Sequence, residues 1–214
     1  MSLTATSTPG AEKEEEFRKL VLEQAKDVEE VDMEKFQAML DDLISSNEID
    51  FLPMAEEEPI TTQASMRMNN CEWATFELVV DIFGLIMAII GLPSHISKRA
   101  AKKLAKKAGK KLNSRFRKIA KEHFRNTTDL MSIATGVWEF LKAIGELLSP
   151  SAIINTVFGS MSFWEKVSWG VLVSSQILLL FATNIGYIVA KMAMVAPSIA
   201  EVVASTANII NKCD

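Results

Sequence analysis

Between Lys166 and Lys191 the chain carries no charged side chain. The run Val167–Ala190 reads VSWGVLVSSQILLLFATNIGYIVA, and as a helix it would span a hydrocarbon core of about 30 Å. No other feature limits the fold as much. A segment this apolar has to be enclosed by other helices, sit in lipid, or pass from one to the other. Its polar residues are Ser168, Ser174, Ser175, Gln176, Thr183 and Asn184. They fit all three readings, because bundles bury small polar groups and packed membrane helices use them as contacts. Thr183-Asn184-Ile185-Gly186 can also turn, which would make Val167–Ala182 and Tyr187–Ala200 the arms of an apolar hairpin. The side chains that would enter lipid are Trp169, Leu172, Ile177, Leu178, Leu179, Leu180, Phe181, Ile185, Tyr187 and Ile188. Trp164, Trp169 and Tyr187 suit a membrane–water interface.

Charge is segregated along the chain. Residues 1–60 hold 17 acidic and 5 basic side chains, a balance of −12. Residues 97–126 hold 13 basic side chains and one acid, Glu122, a balance of +12. The net charge of −4 conceals this, since everything from residue 61 onward sums to +8. Such asymmetry points to an anionic partner for the C-terminal part, or to the leader itself as that partner.

Ala, Leu, Ile, Met, Lys and Glu dominate and Tyr187 is the single tyrosine, which predicts an all-α fold. Hydrophobic residues make up 49% of the 214, enough for a sizeable core. In the acidic leader, 1–60, Phe17, Leu20, Val21 and Ala25 recur at helical spacing, as do Phe36, Met39, Leu40, Leu43 and Ile44. Both stretches read as amphipathic helices that need a surface to lie on. Residues 61–71 read as a linker, overlapping a Pro- and Glu-bearing stretch, 51–68, that a protease could cut. Residues 72–214 read as a bundle of about six helices around the very apolar helix or hairpin. Trp73–Leu92 is nearly all apolar and reads as a core helix that Gly91-Leu92-Pro93 stops. Ser94–Arg125 is basic, with Ile96, Ala100, Leu104, Ala108, Leu112, Phe116, Ile119 and His123 as its apolar stripe. Asp129–Leu148 and a short helix from Ser149-Pro150 follow. Ser162–Glu165 and Ser198–Glu201 have the spacing of capping boxes.

Catalysis is not indicated. His95 and His123 have no local carboxylate or cysteine partner at ligand spacing, and no phosphate-binding loop or metal motif occurs. No cofactor is implied. The Met1–Glu16 stretch has neither a basic n-region nor an apolar h-region. The expectation is a protein made soluble without a signal peptide, acting at a membrane after release by another route. Cys71 and Cys213 lie at the two ends of the apolar region. They are either joined, which would stabilise by about 4–5 kcal/mol in the chain-entropy model, or two free thiols.

Lys98, Lys102, Lys103, Lys106, Lys107, Lys110, Lys111, Arg115, Lys118 and Lys121 fill the polar face of the basic helix. That face is a solvated surface, a site for anionic lipid headgroups, or a phosphate-binding strip. Nucleic acid is the least favoured, because clustered Arg and interleaved stacking aromatics are missing. Gly109 is a hinge or a tolerated defect. The leader is a solubilising arm or, since −12 offsets +12, an intramolecular mask over the basic helix. The organisation of residues 72–212 resembles helical-bundle pore-forming toxins of the colicin type, with basic Ser94–Arg125, amphipathic Asp129–Leu148 and apolar Val167–Ala200 as the matching parts. Lys191 and Glu201 depart from that pattern, being awkward in hydrocarbon. The resemblance implies a membrane-permeabilising protein, recruited to anionic lipid, inserting its apolar segment and able to oligomerise there. A soluble helical interaction module of the immunity or adaptor type and a constitutive membrane protein are the alternatives.

Overall fold

The computed structural model describes residues 9–46, 69–125, 129–192 and 194–213, the side chains of 9–11 and 108–113 excepted. Every regular element among them is an α-helix: α1 (Pro9–Lys26), α2 (Met33–Ser45), α3 (Asn70–Ile89), α4 (Ser94–His123), α5 (Leu130–Gly145), α6 (Pro150–Phe158), α7 (Phe163–Ala182), α8 (Ile185–Met192) and α9 (Ala196–Cys213). The helix starts are marked chemically. Asn69 Oδ1 accepts from the Glu72 N–H at 2.8 Å while Glu72 Oε2 accepts from the Asn69 N–H at 3.0 Å. This reciprocal cap satisfies two donors at the start of α3. It falls inside the expected linker 61–71, of which 61–68 lie outside the described residues. Asp129 caps α5 through the Ser132 N–H. Ser149 caps α6, with Pro150 in first position. Ser162 and Glu165 form a second reciprocal cap, at α7. At the far end of α3, Gly91 takes φ +81°. The N–H groups of Gly91 and Leu92 then reach back to the Ala88 and Met87 carbonyls at 3.0 Å. That closure needs a left-handed residue, which glycine adopts without a Cβ clash.

Helix α3 lies between α4 and α9. Along α9, Asn208 donates to Glu77 and Ser205 to Asp81, and Cys213 is bonded to Cys71. As residue numbers rise on one helix they fall on the other, so α3 and α9 are antiparallel. Leu78, Val79, Ile82 and Phe83 of α3 are enclosed by these neighbours. Helix α4 runs unbroken through Gly109 and turns its Ile96, Ala100, Leu104, Phe116 and Ile119 stripe inward. His123 of that stripe is half-buried, and Ala108 and Leu112 have side chains outside the description. Helix α5 crosses α4 closely at Gly136, where a Cβ would stand 2.4 Å from the Phe124 ring and 2.7 Å from His123 Cβ.

The acidic leader belongs to the same apolar core as the rest. Its helices α1 and α2 pack on α7, and α2 also on α6, whereas the neighbours of α4 are α3, α5, α6 and α9. The described part of the expected mask, α1 and α2, thus packs on α7 and α6 rather than along the basic helix, and residues 47–60 lie outside the described residues. The apolar faces decide: Phe17, Val21 and Ala25 of α1, and Phe36, Leu40 and Leu43 of α2, are buried, each worth about 1.5–3 kcal/mol for the larger side chains. Surface charge attraction, screened by water, does not compete with that. Leu20, assigned to the same apolar stripe, is exposed. The turn between α1 and α2 also docks by polar contacts. The Asp32 N–H donates to the Ala182 carbonyl at 2.9 Å, satisfying one of the open acceptors at the end of α7. Asn184 donates to Glu30, and Ser151 to Asp42.

The charge-free run is not one helix. Thr183 takes an extended conformation after α7, and Asn184 Oδ1 accepts from the Gly186 N–H at 2.8 Å, a side-chain turn that restarts the chain as α8. The arm expected over Tyr187–Ala200 is itself divided into α8 and α9. Residues 69–213 thus hold seven described helices where about six were expected. Ser198 lies inside α9 and does not cap it, because the helix begins at Ala196 and tolerates Pro197 in its first turn.

Candidate functional site

Helix α4 presents its cations in two rows. Arg99, Lys103 and Lys107 face α6 and α7. Lys107 Nζ donates to Thr156 Oγ1 at 2.9 Å and Lys103 to the Gly159 carbonyl, so both complement the negative end of α6. Lys98, Lys102 and Lys106, each one position earlier, are exposed. Further along, Arg115 pairs with Glu146, and exposed Lys118 lies 3.9 Å from Glu122. Lys121 is half-buried, and the side chains of Lys110 and Lys111 lie outside the description. The ten-residue basic face of the sequence reading is thus divided between packing and solvent. Lys98, Lys102 and Lys106 are exposed near its start, and Lys107 and Lys118 are exposed as well, Lys107 while bonded to Thr156.

Helix α7 is also two-sided. Ile177, Leu178, Leu179 and Leu180 are buried, and Trp169, Leu172 and Phe181 half-buried. On α8, Ile188 is buried, and Ile185 and Tyr187 are half-buried. Of the most apolar window of α7, 56% is inside the protein. Tyr187 Oη donates to Gln176 Oε1 at 2.7 Å, giving each half-buried polar group a partner. Ser174 Oγ is buried with no partner among the described residues, which leaves its desolvation of about 1–3 kcal/mol uncompensated.

The first turn of α7 differs. Phe163, Trp164 and Val167 are exposed, and the Phe163 and Trp164 rings meet edge to face at 5.3 Å. Glu165 between them is fully engaged. It accepts from the Ser162 N–H at 2.7 Å, bonds His95 Nε2 at 2.8 Å and pairs with Arg99 at 3.3 Å. Burial opposes its ionisation, but the Ser162 backbone, His95, the Ser162 side chain and the Arg99 charge outweigh that and hold the carboxyl at about 2. The arrangement locks the start of α7 to the start of α4. The capping box is readable in the sequence. Its partners, seventy positions upstream, carry no signal at that distance.

A third cluster lies along α3 and α9. Asp81 is half-buried and its carboxyl is raised above the ordinary carboxylate value by burial first, with Glu201 and Glu77 adding to the rise and the Ser205 hydrogen bond opposing it. No group of three metal-capable side chains occurs among the described residues. The apolar void lined by Phe83, Ile144, Ile177 and Phe181 measures about 10 Å³, room for one water at most. Comparison with protein-family models, curated proteins and solved structures finds no match to this chain.

Proposed function

We propose that this is a membrane-active protein of the permeabilising or pore-forming kind, held soluble by its own fold until it meets anionic lipid. The observation that carries the reading is α7, the one helix among the described residues long and apolar enough to cross a bilayer, covered on one side by an acidic leader rather than by the rest of the bundle. In this reading the leader is a hydrophobic lid on α7 and not a charge mask on α4. Lys98, Lys102 and Lys106 draw the protein to a negative surface, at about 1 kcal/mol per cation near it. Departure of α1 and α2 then uncovers the side of α7 they pack on, Val167–Ala190 enters the bilayer, and further copies join there. The two states need lie only a few kcal/mol apart, with lipid binding tipping the balance. The resemblance of residues 72–212, in their pattern of polarity, to colicin-type toxins supports the same reading.

The close burial of Ile177–Leu180 favours a second reading, a soluble helical interaction module that never inserts. Dye release decides between them. Intact protein and protein cleaved within residues 47–68 are mixed with anionic and with neutral vesicles. The proposal expects release from anionic vesicles, faster after cleavage. No release from either vesicle type with either sample removes it in favour of the module.

A further inference from the structure

An exposed tryptophan on a rigid helix start invites a physical reason. Trp164 is 74% exposed and Val167 59%, and both stand on a turn fixed by a reciprocal cap and by the Glu165 pairs to His95 and Arg99. Isolated apolar surface residues are ordinary, whereas a clustered aromatic pair beside a branched aliphatic marks a contact surface. The charge that α4, α6 and α7 bring to it is one-sided. From Ile82 to Lys121 there is no Asp or Glu, and from Leu147 to Ala200 the one acid is Glu165, already paired with two bases. Because Arg99 reaches Glu165, the adjoining strip of α4 bearing exposed Lys98 and Lys102 flanks the same corner. Lys166 adds a cation from α7 itself.

We propose that Phe163, Trp164 and Val167, flanked by Lys98, Lys102 and Lys166, form the surface on which this protein first docks to a bilayer bearing anionic headgroups. The chemistry is complementary at both levels. Indole and phenyl rings seat at the headgroup–acyl boundary, and lysine stems lie along apolar surface while their ammonium groups meet phosphate. The inference rests on the membrane-active reading and sharpens it: the seat is a corner between α4 and α7, not the whole basic helix. Docking is thus strongest on densely anionic surfaces and at low ionic strength.

The test is flotation of the full chain with phosphatidylglycerol-containing and with pure phosphatidylcholine vesicles at low salt. The wild type is expected to float with the anionic vesicles only. Phe163→Ala with Trp164→Ala, and separately Lys98→Glu with Lys102→Glu, should each weaken flotation at least tenfold while keeping the wild-type circular dichroism and melting temperature. Trp73→Ala, which removes a half-exposed tryptophan of α3, should change nothing. Wild-type binding by either pair of substitutions, equal binding to neutral vesicles, or no binding by the wild type overturns the docking surface. The two readings fail separately. Dye release with undiminished binding of the aromatic variant leaves the permeabilising function standing without this surface. Binding lost in the variants, but with no dye release by the wild type, leaves the surface standing without that function.

Discussion

Two helical seams of this protein use the same apolar logic and are closed differently. Helix α9 lies along α3 with Val202, Thr206 and Ile209 buried, side-chain hydrogen bonds from Ser205 and Asn208, and a disulfide at its far end. The leader lies along α7 with six buried apolar side chains, one backbone hydrogen bond from Asp32 and side-chain contacts at Glu30 and Asp42. Nothing covalent closes the second seam except the chain itself. The contrast teaches where partial opening begins. A seam held by non-covalent contacts alone can open as a unit at the free energy of those contacts, while a cross-linked seam opens only with the rest.

Removing the cross-link is the largest way to break this contrast. Cys71 and Cys213 are separated by 142 positions, and a loop of that size is worth about 5 kcal/mol in the chain-entropy model. Cys71→Ser with Cys213→Ser should lower the urea midpoint accordingly and bring amide protection in α9 down to the level of the leader. Unchanged protection in α9 would mean that packing alone holds the seam. The next effect is expected on the other side. Leu40→Ala empties a fully buried position of α2, a change of about 2–5 kcal/mol. Hydrogen exchange should quicken in α1 and α2 first, with α3 and α9 unaffected, and vesicle binding should rise. Uniform quickening across all helices would show that the leader does not open by itself.

Much of this was legible in the sequence, and the limits have a physical form. Helix existence followed from apolar spacing, and the caps at Ser149 and Ser162 from local chemistry, because both act within one turn. The antiparallel meeting of α3 and α9 did not, although Glu77 and Asp81, four apart, share one face of α3. Asn208 and Ser205 lie more than a hundred positions away, and no local rule links them. The leader was read as a charge mask because charge can be summed along a chain. What it lies on is set by the shape of its apolar face, which needs three dimensions. The basic helix was read as one surface for the same reason. Only packing shows that Lys103 and Lys107 reach the end of α6, while Lys98, Lys102 and Lys106 stay exposed.

A smaller change probes the leader's own stability apart from its docking. Asp32 caps α2 by accepting from the Lys35 N–H at 3.0 Å, while its backbone N–H makes the bond to Ala182. Asp32→Ala removes the first and keeps the second, so the expected loss is about 0.5–2 kcal/mol. Exchange should quicken through the first turn of α2 and be nearly unchanged at the end of α7. Equal quickening at both places would tie the cap to the docked state as a whole.

The smallest expected effect concerns pH, and its sign opposes an acid-opened lock. Asp81 in the folded protein holds its proton to higher pH than in the unfolded chain, because burial and the nearby Glu201 and Glu77 outweigh the Ser205 hydrogen bond. The folded state therefore binds more protons in the window from the ordinary value of 3.8 up to the raised one, and stability attributable to this group rises as pH falls through that window. Glu165 runs the other way: its contribution is present above the ordinary 4.5 and is lost only as pH falls toward about 2. Mild acidification from neutral pH to about 5, a range above the ordinary carboxylate values, thus loosens neither the α3–α9 seam nor the anchor between α4 and α7. Asp81→Asn should raise the melting temperature at neutral pH and remove this group's share of its pH dependence, read as the difference between variant and wild type from pH 7 to 4. A wild-type α9 that loses amide protection on mild acidification, with the variant protected, would reverse the sign and make Asp81 a release point rather than a clasp.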